Sequence, residues 1–151
     1  MRRSSLILAA AVTLGTAAIA SAAVKPETAI AYRQAGYTML GWNFGPMAQM
    51  VRGKTPWDAA EFARRAERVA LIAPQLLEGF PEGSDSGATT EAKAEIWKNM
   101  DDFKLKMDDL VKQSKLLADV AKSGDEAKIK DQFKQTAAAC KACHEKYRSE
   151  D

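Results

Sequence analysis

The sequence predicts an all-α domain, an antiparallel up-down-up-down four-helix bundle. Apolar residues recur at three- and four-residue steps along most of the chain, as they do on one face of a helix. The alternation of β-branched and polar residues that is typical of strands is almost absent. Four amphipathic segments of roughly 25 residues are joined mostly by short connections, so consecutive helices should run in opposite directions.

The first 22 residues have the composition of an export signal. The stretch MRRSSLILAAAVTLGTAAIASA begins with two arginines, continues with an apolar run and ends in small residues at Ala20-Ser21-Ala22. This order is typical of a cleaved secretory signal peptide, and the apolar run is short and alanine-rich for a membrane span. We expect residues 1–22 to be removed, with a retained anchor as the alternative. Residues 23–151 then form one periplasmic domain without a membrane segment.

The charge of the chain points to no particular partner. The full sequence has 22 basic and 20 acidic residues and a formal net charge of +2. The two arginines of the signal would leave with it, so 20 basic residues remain against 20 acidic ones. A nearly neutral domain gives no indication of nucleic-acid binding.

The first helix is predicted from the stretch KPETAIAY to about Arg52. Pro26 suits the first helical turn, where a backbone N–H is not needed, and Glu27 is favourable at the positive end of the helix dipole. Gly53 follows the last helical residue and is expected to end the helix.

The second helix is predicted to begin in the stretch TPWDAAEF. Thr55 is the expected N-cap, Pro56 the first helical residue, and Asp58 the residue that reaches back to complete a capping box. The helix should continue to about Leu77 and be bent or interrupted ahead of Pro74.

The remaining half of the bundle follows one long loop. The segment GFPEGSDSGAT concentrates loop-forming residues, and Thr90 is expected to cap a third helix that continues to Ala121. The stretch KSGDE predicts a tight turn, after which a fourth helix runs from about Asp125 to the end. The third helix has an apolar stripe made of Ile96, Met100, Phe103, Met107, Leu110 and Leu117.

The only two cysteines and the only histidine lie together near the end of the fourth helix. Cys140, Cys143 and His144 are at positions i, i+3 and i+4, which share one face of a helix. C-x-x-C-H is the attachment motif of c-type haem, in which both thiols form thioethers with the haem vinyl groups and the histidine binds the iron. The motif predicts one covalently attached haem c, with His144 as its proximal iron ligand.

Three other interpretations of this cluster fit less well. A disulfide oxidoreductase places C-x-x-C at a helix N-terminus, whereas this pair lies near a C-terminus. A structural zinc site needs four ligands, and the cluster offers three. A structural disulfide, plausible in an exported protein, leaves His144 without a role.

A second axial ligand would decide how such an iron behaves. There is no second histidine, so the candidates in the mature chain are Met39, Met47, Met50, Met100 and Met107. Met100 and Met107 continue the apolar stripe of the third helix, which favours core packing for both.

Essentially the whole mature chain resembles the class II c-type cytochromes, and in detail the cytochrome c′ family. KPETAIAYRQAGYTML is similar to the family's first helix and KTPWDAAEF to the start of its second. AEIW is similar to its third helix and CKACHEKYR to its haem site.

The resemblance implies an open iron position. The family's residue on the distal side of the iron lies four positions after an arginine of the first helix, and Arg33 and Tyr37 match these two positions. Low-spin relatives have a methionine ligand in place of Tyr37, so the resemblance implies a five-coordinate, high-spin iron bound by His144 alone. Met39 is about 200° around the helix from Tyr37 and cannot replace it. Tyrosine ligation is the alternative, but an unactivated phenol has a pKa near 10.

The resemblance also implies further haem contacts. Arg33 and Gln34 match residues that meet the haem propionates, and Leu77 and Phe80 match positions of the distal wall. Glu91 matches a haem-contacting position before the third helix, and Arg148 a basic residue on the proximal side.

The implied function is binding of small gases, NO and CO, together with one-electron redox cycling with an unidentified partner protein in the periplasm. The alternative is a low-spin electron-transfer cytochrome with a methionine sixth ligand. A peroxidase-like enzyme would need a distal acid–base pair, commonly including histidine, so we expect no enzymatic activity.

The family's antiparallel dimers imply a homodimer through the first helix and the start of the second. Apolar residues of the first helix spread around more than one face, which supports an additional contact surface. They are Met39, Leu40, Trp42, Met47 and Met50.

Overall fold

The structure, a computed structural model, describes residues 24–149 and contains four long helices. The predicted signal peptide lies outside the described residues. The elements are α1 (Pro26–Val51), α2 (Ala59–Ile72), a 3-10 helix (Ala73–Gly79), α3 (Glu95–Lys98), α4 (Met100–Ala121) and α5 (Glu126–Tyr147). The long helices α1, α2, α4 and α5 form the predicted four-helix bundle, and none of the described helices is long and apolar enough to cross a membrane.

Contacts between neighbouring helices show that they run in opposite directions. The Arg65 guanidinium donates to the carbonyl of Trp42 at 3.0 Å, and the Tyr32 hydroxyl donates to the carbonyl of Gln75 at 3.3 Å. From Arg65 in α2 to Gln75 in the following 3-10 helix the chain advances, while the partners on α1 go back from Trp42 to Tyr32, so α1 is antiparallel to this segment. The α4–α5 pair is arranged in the same way, through Gln132 with Gln113 and Lys146 with Asp102.

The second helix begins later than predicted. Asp58 has an extended backbone, and its Oδ1 accepts from the amide of Glu61 at 2.9 Å, so Asp58 is the N-cap and the prediction of Thr55 was wrong. The predicted interruption ahead of Pro74 is confirmed, because α2 ends at Ile72 and the chain tightens into the 3-10 helix. That helix ends at Gly79 rather than at Leu77.

The third helix is shorter than predicted. It divides into the short α3 and the long α4, and Thr90 caps neither of them. The Thr90 hydroxyl instead accepts from Arg33 Nη2 at 3.0 Å and from the amide of Ala92 at 3.2 Å. These hydrogen bonds stabilise the loop rather than the start of a helix. The predicted start of the last helix is confirmed, since Asp125 is its N-cap.

Two apolar clusters fill the bundle. One surrounds Phe62 and Phe133, and the other surrounds Phe80, Phe103 and Tyr147 beside the two cysteines. Within residues 24–149, α1 and α5 make little direct backbone contact, although Phe44 of α1 stacks on Phe133 of α5 at 4.5 Å between ring centroids. The rest of the space between α1 and α5 is open to a ligand.

Part of the apolar surface predicted for the first helix belongs to the core. Met47 and Met50 are buried in the first cluster, and Leu40 is half-buried against both clusters. Their assignment to a second contact surface was wrong. Met39 and Trp42 are exposed, with 56% and 75% of their surface accessible.

The 3-10 helix approaches α1 closely at Gly79. A Cβ atom at this position would lie 2.5 Å from Cβ of Arg33. We expect Gly79→Ala to lower the free energy of unfolding by about 1–3 kcal/mol, the usual cost of overpacking, as measured by urea denaturation. Gly45→Ala is the control, because an added Cβ there meets nothing within 4 Å and should not lower stability. A Gly79→Ala variant as stable as the parent would contradict this close approach.

Candidate haem site

A large open slot lies between α1 and α5. Its volume is about 960 Å³, and α4 and the loop after Gly79 complete its walls. This is the size range of sites that enclose a large organic ligand. Cys140, Cys143 and His144 all line the slot from α5, as their helical spacing predicts.

Most of the residues implied by the resemblance meet at this slot. Besides the three motif residues, its walls include Arg33, Gln34, Tyr37, Phe80, Glu91 and Arg148. Leu77 is the exception: it packs against the second apolar cluster but does not line the slot.

The two thiols are free and half-buried. Burial, with a smaller contribution from Cys143, raises the pKa of Cys140 to about 11, and burial also raises the pKa of Cys143. Disulfide oxidoreductases need a lowered thiol pKa, so this environment does not suit that chemistry.

His144 is in a setting that favours the neutral imidazole. Burial lowers its pKa, Arg148 lowers it further, and Glu91 opposes the change. Arg148 Nε is paired with the Glu91 carboxylate at 2.5 Å, which joins the end of α5 to the loop before α3. The neutral imidazole is the form that binds metals.

Tyr37 enters the slot from α1, the helix across from His144. Its hydroxyl donates to Sδ of Met107 at 3.8 Å, and its ring meets Phe80 edge-on with centroids 6.4 Å apart. Burial raises the pKa of Tyr37, and the neighbouring cysteines add to the effect. The phenol therefore keeps its proton at neutral pH and is a poor iron ligand.

Arg33 and Gln34 hold the loop after Gly79 against α1. The buried guanidinium of Arg33 donates to the carbonyls of Gly79 at 3.1 Å and Ser84 at 2.9 Å. It also lies 4.9 Å from the ring centroid of Phe80. Gln34 Nε2 donates to the carbonyl of Thr89 at 2.9 Å. Their predicted contact with haem propionates stays a prediction.

Some slot residues were not singled out from the sequence. Gly41 and Phe44 line it, and they follow Tyr37 at positions i+4 and i+7, a helical spacing that could have identified them. Met107 was assigned to core packing; it is buried in the core and also lines the slot. Lys106 lines it too, but a charged residue beside an apolar stripe carries no signal of this kind.

The two thiols, the imidazole and the slot fit a prosthetic group that already contains a metal ion. Two thiols and one imidazole share one face of α5 and open into a space between helices. Across residues 24–149, no group of three or more His, Cys, Asp or Glu side chains is arranged to hold a metal ion by itself. The fold and the C-x-x-C-H face together define a c-type cytochrome built on a four-helix bundle.

Comparison with known proteins identifies the family. The family model for cytochrome c′ matches residues 28–148. The cytochrome c′ of Shewanella frigidimarina has 44% sequence identity and a TM-score of 0.81, covering 83% of this chain and 98% of its own. This chain belongs to the cytochrome c′ family, and its cofactor is covalently attached haem c.

Two further solved structures are informative about relatives. One is a nitric oxide complex of a variant of the cytochrome c′ from Alcaligenes xylosoxidans, with 33% identity and a TM-score of 0.77 over 84% of this chain and 98% of that one. The other is a cytochrome c′ described as having ligand-controlled dimer dissociation, with 34% identity and a TM-score of 0.79 over 85% of this chain and 100% of that one.

Proposed function

We propose that this protein is a periplasmic, high-spin cytochrome whose five-coordinate haem binds small gases such as NO and CO and also undergoes one-electron redox. The observation that carries the proposal is the place of Tyr37, which lines the slot across from His144 at the position where low-spin relatives have a methionine ligand. Burial also raises the pKa of this phenol, which disfavours its use as an iron ligand. The nitric oxide complex of a variant of the Alcaligenes xylosoxidans relative supports gas binding.

The residues around the slot have different proposed roles. Cys140 and Cys143 would fix the haem to α5 by thioether bonds, and His144 would supply a nitrogen ligand to its iron. When bound, the haem would supply the redox couple and the gas-binding position. Tyr37 and Phe80 form an apolar wall that a bound gas must meet, so the wall can discriminate between gases by size and geometry.

One observation favours the alternative of a low-spin electron-transfer cytochrome. Met107 lines the slot, and its sulfur is a possible sixth ligand. Two facts support the high-spin proposal over it: the sulfur accepts the hydroxyl of Tyr37, and the side chain is packed in the core. We also propose that the protein binds gases and transfers electrons but is not an enzyme. The chain has no second histidine that could serve as a distal acid or base.

Titration of the reduced protein with CO tests the proposal. We expect one CO to bind per chain with a large change in the haem absorption spectrum. A spectrum that does not respond to saturating CO would favour the alternative, in which the sixth position is already occupied.

We further propose a homodimer through an apolar surface, the α1–α2 patch, formed by Tyr32, Met39, Trp42 and Leu71. All four side chains are exposed in the single chain, and Leu71 lies at the end of α2 rather than at its start, where the sequence placed the contact. Exposed apolar residues grouped across two helices are typical of a contact surface. The relative with ligand-controlled dimer dissociation supports a second copy of the chain as the occupant.

Trp42→Glu should convert the dimer into a monomer. A tryptophan at the centre of an interface commonly contributes 2 kcal/mol or more, so we expect dimerisation to weaken by at least about 30-fold. Sedimentation at micromolar concentration would measure this. Leu105→Glu is the control, since Leu105 is also exposed but lies on α4, outside the patch. A parent protein that is monomeric, or a Trp42→Glu variant that still dimerises, would contradict the assignment.

A further inference from the structure

We propose that Met107 is a positioning residue for gas binding, because its thioether holds the hydroxyl of Tyr37 in place. The inference rests on the proposed function, in which a bound gas meets the wall formed by Tyr37 and Phe80; it adds that the gas must displace the Tyr37 side chain. It gives a role to a methionine that the sequence assigned only to the core.

The contact joins two helices that otherwise stay apart. Met107 belongs to α4 and Tyr37 to α1, and these helices have little direct backbone contact within the described part of the chain. The hydroxyl and Sδ are 3.8 Å apart. Tyr37 therefore extends from α1 towards the α4 side of the slot, where the sulfur of Met107 accepts its hydroxyl.

Both partners are held by their surroundings. Met107 is 2% exposed and packs in the same apolar cluster as Phe103 and Leu110. The ring of Tyr37 is limited on another side by Phe80. Among residues 24–149, Met107 is the one hydrogen-bond partner of the Tyr37 hydroxyl, so moving the ring leaves a polar group without a partner.

This arrangement gives Met107 influence over the gas through the Tyr37 side chain. A thioether is a weak acceptor, so the hydroxyl can be released, but release has a cost that a gas ligand must overcome. Leucine has a similar size to methionine but offers no acceptor. Met107→Leu should therefore ease the displacement of Tyr37 and speed CO association by about twofold to threefold, the effect of a hydrogen bond at the weak end of the usual range.

A double-mutant cycle tests whether the two residues act together. Rates of CO association after flash photolysis are compared for the parent, Met107→Leu, Tyr37→Phe and the double variant. We expect each single change to speed association and the double variant to be no faster than the faster single one. Rates that multiply in the double variant would overturn the proposal. Met100→Leu is the control, because Met100 packs against the same cluster but does not line the slot, and its rate should match the parent's.

A second measurement separates this inference from the proposed function. Urea midpoints of the same four haem-loaded proteins should show the same coupling, with the double variant losing less than the two single losses together. If the parent binds no CO, the proposed function fails, and the midpoints alone decide the Met107–Tyr37 contact. If CO binds but the two effects multiply in the rates and add in the midpoints, only the role of Met107 is overturned.

Discussion

Replacing Tyr37 with alanine should raise the affinity of the reduced protein for CO by about 5- to 150-fold. The Tyr37 ring lies inside the slot, held by Phe80 and by the sulfur of Met107. A gas that binds on this side has to push the ring into a packed wall, and such crowding typically costs about 1–3 kcal/mol. Alanine removes that cost, and the stated range is its equivalent in affinity. Equilibrium titration with CO would measure the change.

Leu105→Ala is the control for this experiment. Leu105 is exposed on α4 and lies outside both the slot and the α1–α2 patch. Its removal should leave CO affinity unchanged. An unchanged affinity in Tyr37→Ala would remove Tyr37 from the gas-binding side of the haem.

Replacing both Cys140 and Cys143 with alanine should abolish covalent haem attachment. The thiols are the only two in the chain, so no other side chain can form the thioethers. Haem staining after denaturing electrophoresis should then show no coloured band. We also expect the midpoint of thermal unfolding to fall by at least about 10 °C. Loss of a bound group that lowers the free energy of unfolding by about 3 kcal/mol or more shifts the melting temperature of a domain of this size by that amount.

Lys141→Ala is the control for the cysteine pair. Lys141 lies between the cysteines but is exposed, and its one ion pair within residues 24–149 is with Glu145, so its removal leaves the attachment chemistry intact. Single cysteine variants should keep one thioether and still stain. Covalent haem in the double variant would contradict the assigned attachment site.

The long helices could be predicted because their signals are local. Apolar periodicity defines them. Asp125 caps α5 because its carboxylate accepts a hydrogen bond from the backbone amide of Lys128, three residues along the chain. The start of α2 was harder, since Thr55 and Asp58 are both good caps three residues apart. Only the backbone at Asp58 has the extended conformation that an N-cap needs next to a helical residue.

The region before α4 could not be predicted because a distant residue organises it. Thr90 is a good helix cap by type, yet its hydroxyl accepts from Arg33, which is 57 positions away in the sequence. Periodicity and capping rules describe neighbours along the chain and contain no information about such a partner. The loop therefore extends beyond Thr90 as far as the start of α3.

Some residues of the site could be predicted from the sequence, and others could not. Cys140, Cys143 and His144 followed from spacing alone, since a helix brings them to one face wherever it packs. Met107 shows the limit: an apolar stripe indicates that a residue faces inward, but not whether it meets another side chain or a cofactor slot. The same limit explains Met47 and Met50, which the apolar spread of the first helix could not separate from the exposed Trp42.

The absorption spectrum of the oxidised protein, matured with its haem in a periplasm, tests the central claim most directly. If His144 is the sole axial ligand, as proposed, the ferric spectrum should be that of a high-spin haem, and reduction under CO should convert it fully to a CO adduct. A low-spin ferric spectrum that is unaffected by CO after reduction would show a sixth ligand already in place and contradict the account.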